Sequence, residues 1–110
     1  MSATVKAQLE AIARWHGGCK LTQMATGVVL EVAGYDWLDP NAIDLDNAHV
    51  ILLLEQKAVA MGIAIQTTRF VSGVISKLAT RENRPALIAT APSLTAATIE
   101  LFAQIAWESG

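Results

Sequence analysis

Residues 55–78 read EQKAVAMGIAIQTTRFVSGVISKL, and the structure of this stretch decides the fold class of the chain. Its first part continues an apolar helical pattern that ends at Met61, because Gly62 follows at the position where many helices end. Beyond this glycine, apolar residues recur at helical spacing, namely Phe70, Val71, Val74, Ile75 and Leu78. The spacing predicts another helix over 67–80.

The spacing of apolar residues predicts four more helices in the rest of the chain. They are predicted over 4–15, 20–33, 45–61 and 93–107. The helix over 20–33 competes with a strand because it contains β-branched valines, but Val28-Val29-Leu30 breaks the alternation typical of a half-buried strand. Segments 63–71 and 86–90 could likewise form a pair of strands. The sequence predicts an all-α fold, a compact bundle of about five helices in a single domain over 1–110.

Length and composition favour one domain with an apolar surplus. The chain has 110 residues, of which 53% are hydrophobic and 16% are charged. Ordinary domains carry about 25% charged residues, so disorder of the whole chain is excluded. Because a short chain has a large surface for its volume, one core is not expected to bury all of these apolar residues. We therefore expect an exposed apolar patch and a homo-oligomer, most simply a dimer.

The location of the protein is predicted from signals that the sequence lacks. The N-terminal stretch MSATVKAQLEAIARW carries charges where a secretory signal needs an apolar run. No segment has the roughly 18 uncharged apolar residues of a membrane span. The lone Cys19 excludes an intramolecular disulfide framework and fits a reducing compartment. The prediction is a cytoplasmic protein that does not bind a membrane.

The charges are divided between two neighbouring segments. Residues 31–55 carry six acids and no base, whereas residues 57–84 carry five bases and one acid. Such a division can orient a partner or a second subunit. The alternative is that the two segments face each other within the fold and form ordinary ion pairs.

The acidic segment contains aromatic residues in a connection between two predicted helices. Because Tyr and Trp are enriched where proteins bind one another, this connection is predicted to bind a protein partner. The predicted partner-binding residues are Tyr35, Asp36, Trp37, Asp39, Asp44 and Asp46. Local roles are the alternative, since Asp39-Pro40-Asn41 is typical of a turn and Asp44 or Asp46 suits the N-cap of a helix. Trp37 could equally close one end of the bundle.

The stretch 55–78 loosely resembles a helix-turn-helix, which is a DNA-binding motif. The resemblance rests on a small residue, a turn glycine, and hydroxyl and basic residues near the next helix, namely Ala58, Gly62, Thr67, Thr68 and Arg69. It implies contacts with DNA phosphates by Arg69, Lys77, Arg81 and Arg84. Lys57 and Thr68 depart from the motif, because they stand at positions that are usually apolar. The alternative is an ordinary helical hairpin with a solvated basic face.

Few residues suit catalysis or metal binding. His16 and Cys19 have a His-x-x-Cys spacing, but a structural zinc site needs four ligands and only His49 remains as another soft ligand. Cys19 could act as a nucleophile with His16 or His49 as its base and an acid as the orienting group, but the sequence has no further sign of such a site. The run DLDN at residues 44–47 lacks the glycine and the closing glutamate of a helix–loop–helix calcium loop. We therefore expect no metal, no cofactor and no enzymatic activity.

Two functions remain as predictions from the sequence. The first is a small regulatory or inhibitory protein-interaction module that binds a macromolecular partner through the acidic segment 35–46. The alternative is a DNA-binding regulator that uses the basic segment 57–84. The two differ in which segment faces outward, and this is a property of the tertiary structure.

Overall fold

The computed structural model describes residues 4–25, 27–32 and 36–109. Within these residues three helices and six strands follow in the order α1 (Val5–His16), β1 (Cys19–Met24), β2 (Gly27–Val32), β3 (Asp36–Leu38), α2 (Asp44–Ala60), β4 (Ala64–Arg69), β5 (Ile75–Thr80), β6 (Leu87–Ala91) and α3 (Leu94–Ser109). The strands form two antiparallel sheets with the orders β1-β2-β3 and β4-β5-β6. The fold is α+β, so the predicted all-α bundle of five helices is wrong.

The three observed helices lie where the sequence predicts helices. Thr4 caps α1, because its hydroxyl oxygen accepts a hydrogen bond at 3.1 Å from the backbone N–H three residues later. Gly17 ends the same helix with φ at 77°, a left-handed conformation that costs glycine little. Ser93 caps α3 in the same way as Thr4 caps α1, also at 3.1 Å. Local capping therefore accounts for the starts of α1 and α3, whereas α2 begins at Asp44 without a side-chain cap of its own.

The helix predicted over 20–33 is instead the β1–β2 hairpin, in which Cys19 pairs with Val32. The prediction is wrong because both Val29 and Leu30 are buried, so β2 does not alternate although it is a strand. A strand that is covered on both faces shows a continuous apolar run, and periodicity cannot distinguish such a run from a buried helix. Its β-branched valines were the better signal.

The helix predicted over 67–80 is instead the β4–β5 hairpin. The Phe70 N–H donates to the Val74 carbonyl at 2.9 Å and closes the turn, where Gly73 adopts a φ of 92° that other residues rarely reach. Burial along β5 alternates, and its inward residues are Ile75, Lys77 and Ala79. The predicted helical stripe combined residues of different elements, because Phe70 and Val71 lie exposed in the turn.

Segment 86–90 also belongs to a strand, as the competing prediction anticipated, but its partner differs. β5 lies between β4 and β6, so segments 63–71 and 86–90 are not paired with each other. The two segments were predicted as neighbours because β5 itself was assigned to a helix. Once β5 is a strand, it pairs with both of them.

One apolar core joins the helices to both sheets. α3 packs against α1 and lies across β5 and β6, whereas α2 contacts β3, β4 and α3. The core includes Leu9, Leu30, Leu54, Ala79 and Phe102, which come from five different elements. The apolar pattern over 45–61 also suggests a helix central in its domain, but only one face of α2 is buried and the other is open to solvent.

Candidate functional site

Asp44 does not cap its own helix, as one prediction had it, but caps α3, and its predicted binding of a partner stays a prediction. Its carboxylate accepts hydrogen bonds from the backbone N–H groups of Leu94 and Thr95, at 3.0 and 2.9 Å, and from the Thr95 hydroxyl at 2.8 Å. The first N–H groups of a helix have no acceptor within that helix, so this contact stabilises α3. Burial alone would raise the pKa of Asp44, but these hydrogen bonds and the charge of Arg69 hold its pKa below the ordinary value.

Asp39 belongs to the turn before α2. Its carboxylate accepts from the Asn41 N–H at 2.9 Å, which confirms the turn predicted at Asp39-Pro40-Asn41. The buried Asn47 side chain accepts from the Asp39 N–H at 2.9 Å and donates to the Asp39 carbonyl at 2.8 Å. It also donates to the Thr95 hydroxyl at 3.0 Å. Asp39 and Asp44 thus contribute to one network that joins the turn, α2 and α3.

Among the other predicted partner-binding residues, Asp36 and Trp37 point to opposite faces of β3. An Asp36 carboxylate oxygen lies 3.0 Å from His49 Nδ1 on α2. Trp37 is 43% exposed but projects from the opposite face of β3, because successive strand residues point to opposite faces. Asp46 is exposed in the first turn of α2, and Tyr35 lies outside the described residues. Partner binding by this set stays a prediction.

Two of the four predicted DNA-contacting residues are engaged within the fold. Lys77 is fully buried on β5 and pairs with Glu55 of α2. Arg81 pairs with Glu108 of α3, with 2.5 Å between Arg81 Nη1 and Glu108 Oε2. The Lys77–Glu55 pair joins the basic segment to the acidic one, which agrees with the alternative that the two segments face each other.

The remaining two basic residues are exposed but lack the helix that the motif requires. Arg84 donates to the Glu108 main-chain carbonyl at 3.4 Å, and Arg69 lies exposed at the end of β4. Stretch 55–78 consists of the end of α2 and the β4–β5 hairpin. A helix-turn-helix places its second helix in the major groove, and this stretch provides no second helix.

One face of α2 carries large apolar side chains that nothing in the described part of the chain covers. Leu45, Leu52 and Val59 are 79%, 49% and 61% exposed. Because they are seven residues apart, or about two helical turns, they form a straight stripe along the helix. We call this stripe and the exposed Ala48, His49 and Gln56 beside it the α2 face. The opposite side of α2 supplies Val50, Ile51, Leu54 and Ala58 to the interior.

The α2 face was not predicted from the sequence, because the apolar residues 50–54, 58 and 61 read together as one broad stripe directed at the core. A helix that is apolar on every side is usually central in its domain. The seven-residue spacing was an available signal for a second, outward stripe. A groove of about 520 Å³ lies beside the stripe between α2, β4 and the start of α3, where Leu52, Arg69 and Leu94 contribute to its wall.

Cys19 is poorly suited to nucleophilic catalysis. Burial raises its pKa to about 11, and the positive charge of Lys57 offsets only part of this effect. Burial also lowers the pKa of His16, with a further contribution from Lys57, and His16 Nδ1 accepts a hydrogen bond from the Gly18 N–H at 3.2 Å. A thiol with so high a pKa is protonated at neutral pH, and the thiolate is the reactive form.

The described residues, 4–25, 27–32 and 36–109, contain neither a cluster of metal ligands nor a membrane-spanning helix. Within these ranges, no three His, Cys, Asp or Glu side chains come together as ligands for a metal ion. None of the helices formed there has the length and apolar character needed to cross a bilayer.

Comparisons of the whole chain with protein-family models, with curated proteins and with solved structures give no match.

Proposed function

We propose that this protein is a non-enzymatic interaction module that forms a homodimer through the α2 face and acts on a macromolecular partner as a dimer. The observation that carries the proposal is the stripe of Leu45, Leu52 and Val59, which is apolar and yet exposed in the single chain. Contiguous apolar surface is costly to leave in water, and such patches commonly mark association surfaces.

The stripe is complementary to a second copy of itself. α2 has 17 residues and Leu52 is the ninth, so Leu45 and Val59 lie equally far from it in opposite directions. A twofold axis beside Leu52 would run two copies of α2 antiparallel, with Leu45 of each copy against Val59 of the other. Ala48 lies along the same face, and its small side chain permits a close approach of the helices.

The polar residues beside the stripe match under the same symmetry. His49 and Gln56 lie at nearly equal distances on either side of Leu52, so each His49 would meet Gln56 of the other copy. Asp46 near the start of α2 would lie toward Lys57 near the end of the other helix. A parallel arrangement would instead bring like charges together, which opposes association.

The expected dimer is of moderate affinity. A helix of this length is roughly 25 Å long, and contact along one helix alone buries less than the roughly 1,200 Å² of a standard interface. Ile43, which is exposed just before α2, and the groove beside Leu52 can add to the contact. We expect a dissociation constant in roughly the micromolar range.

Sedimentation velocity over concentrations on both sides of the expected dissociation constant tests the proposal. The wild-type mass should rise from that of one chain to that of two. Leu52→Glu should remain a monomer, because it would bring two carboxylates together at the centre of the interface. Ile88→Glu is the matched control, since Ile88 is similarly exposed but lies on β6, and this variant should dimerise like the wild type. A mass of one chain throughout, or a dimer that Leu52→Glu leaves intact, would overturn the proposal.

Cross-linking tests the antiparallel direction in a Cys19→Ser background. A short bismaleimide should join two copies of Leu52→Cys, because these residues lie beside the proposed axis. Val59→Cys should not link to itself, since the two positions would be about 21 Å apart along the helices. It should link to Leu45→Cys when the two variants are mixed. Efficient linking of Val59→Cys to itself would instead indicate parallel helices.

A further inference from the structure

A pocket lies where the ends of three helices meet, away from the α2 face. Its volume is about 600 Å³, which is within the range of small-molecule sites. Arg14 and Trp15 near the end of α1, Met61 directly after α2 and Trp107 near the end of α3 contribute to its wall. The pocket therefore combines two tryptophans with one arginine.

Arg14 is the cationic side chain among the described residues that line the pocket. Arg14 is exposed, and in the described part of the chain its guanidinium has no hydrogen bond or ion pair. Of the described residues that line the pocket, none is Asp or Glu. Glu108 follows Trp107 in the chain, but its carboxylate pairs with Arg81. A free guanidinium offers two parallel N–H donors, which match the two oxygens of a carboxylate.

Of the two tryptophans in the pocket wall, Trp15 packs against the core and Trp107 is exposed to solvent. The ring of Trp15 packs on Phe102 with 5.6 Å between centroids, which supports it from the core. Trp107 is 47% exposed, and Met61 is similarly open to solvent, so a ligand would cover apolar surface on both. The buried Trp15 Nε1–H has no acceptor within the described residues.

We propose that this pocket binds a small organic anion of the aryl carboxylate class. The carboxylate pairs with the Arg14 guanidinium, and the flat apolar body lies against Trp15 and Trp107. One guanidinium balances one negative charge, which favours a monocarboxylate over a doubly charged phosphate. No residue of the pocket belongs to the α2 face, so ligand binding here and dimer formation can be tested independently.

Titration calorimetry with naphthoate tests the proposal, with naphthylmethanol and naphthylmethylammonium as neutral and cationic controls that share its ring. Naphthoate should bind saturably at one molecule per chain. The alcohol should bind roughly tenfold more weakly, because it lacks the charge-assisted hydrogen bonds to Arg14. Equal affinity for naphthoate and naphthylmethanol would overturn the proposal, as would the absence of saturable naphthoate binding.

Two variants assign any binding to this pocket. Arg14→Gln should weaken naphthoate binding roughly tenfold and leave the affinity for naphthylmethanol unchanged. Lys6→Gln is the charge-matched control, because Lys6 is exposed on the same helix but does not line the pocket. Both replaced residues are exposed, so neither change should disturb folding. Equal naphthoate affinity in Arg14→Gln and Lys6→Gln would refute the assignment to Arg14.

Discussion

Asp44 is the residue whose role depends most on its surroundings. As part of an acidic run near two aromatics, it resembles a residue of a binding surface, and at the start of a helix it resembles an N-cap. In the folded chain its carboxylate spans 50 positions in sequence to reach the first N–H groups of α3. An N-cap from a distant part of the chain satisfies the same donors as a local one. It also fixes α2 relative to α3.

Replacing Asp44 with Ala should therefore lower the free energy of unfolding by about 1–3 kcal/mol, because it removes three hydrogen bonds at the start of α3. Urea denaturation measures this change. Asp46→Ala is the matched control, since Asp46 lies in the same first turn of α2 and is exposed. Both changes remove a favourable negative charge from the first turn of α2. The difference between their losses in free energy of unfolding therefore measures the contribution of the cap on α3. Equal losses in the two variants would contradict this role of Asp44.

The pH dependence of stability gives a second test of Asp44. The pKa of this carboxyl is lowered in the folded state, so folding favours its charged form. Its contribution should be fully present above the unfolded-state pKa of about 4 and should be lost as the pH falls through the folded-state value. Unfolding midpoints measured between neutral and acidic pH should therefore decline more steeply for the wild type than for Asp44→Asn. Parallel curves for the two proteins would contradict the expectation.

At the scale of elements, two ion pairs join helices to β5 and to the turn that follows it. Lys77 points inward from β5 and is fully buried, and its ammonium meets Glu55 of α2. Arg81 at the end of β5 pairs with Glu108 near the end of α3. Both basic residues stand where the sequence suggested a face for DNA. Their pairing instead shows how the acidic and basic segments are brought together.

Glu55→Ala should destabilise the fold by about 3 kcal/mol, because it leaves the buried Lys77 ammonium without its partner. Chemical denaturation of a double-mutant cycle with Lys77→Met measures the coupling. The double variant should be more stable than Glu55→Ala alone, since it no longer buries an unpaired charge. Glu82→Ala, an exposed glutamate in the turn after β5 that lies outside the α2 face, serves as the control and should have little effect. If the loss in free energy of unfolding of the double variant equalled the sum of the two single losses, Glu55 and Lys77 would not be coupled.

At the scale of the whole molecule, one apolar core holds two small sheets and three helices, and an apolar stripe remains outside it. The surplus of apolar residues therefore does not fit entirely into one core. In the proposed dimer this surplus would be buried between two copies of α2. Folding and association would then be linked, because the folded dimer binds its second copy and the unfolded chain does not.

The thermal midpoint should consequently rise with protein concentration for the wild type and stay constant for Leu52→Glu. Above the dissociation constant, each tenfold increase in concentration adds about 1.4 kcal/mol of apparent stability per dimer. For a chain of this size we expect a shift of several degrees. Differential scanning calorimetry measures it, and Ile88→Glu should follow the wild type. A concentration-independent midpoint in the wild type would contradict linked folding and association.

The sequence by itself determined the three helices and the turn before α2. Thr4, Gly17, Ser93 and the Asp39-Pro40-Asn41 turn act on backbone groups within a few positions, so their effects can be predicted without the rest of the fold. Tertiary structure decided the strands, because an apolar run such as Val28-Val29-Leu30 fits a buried helix and a buried strand equally well until its partners are present. It also decided which charges face solvent, since the partners of Asp44 and Lys77 lie on elements distant in sequence. Apolar spacing alone therefore identified the buried side of α2 but not its exposed one.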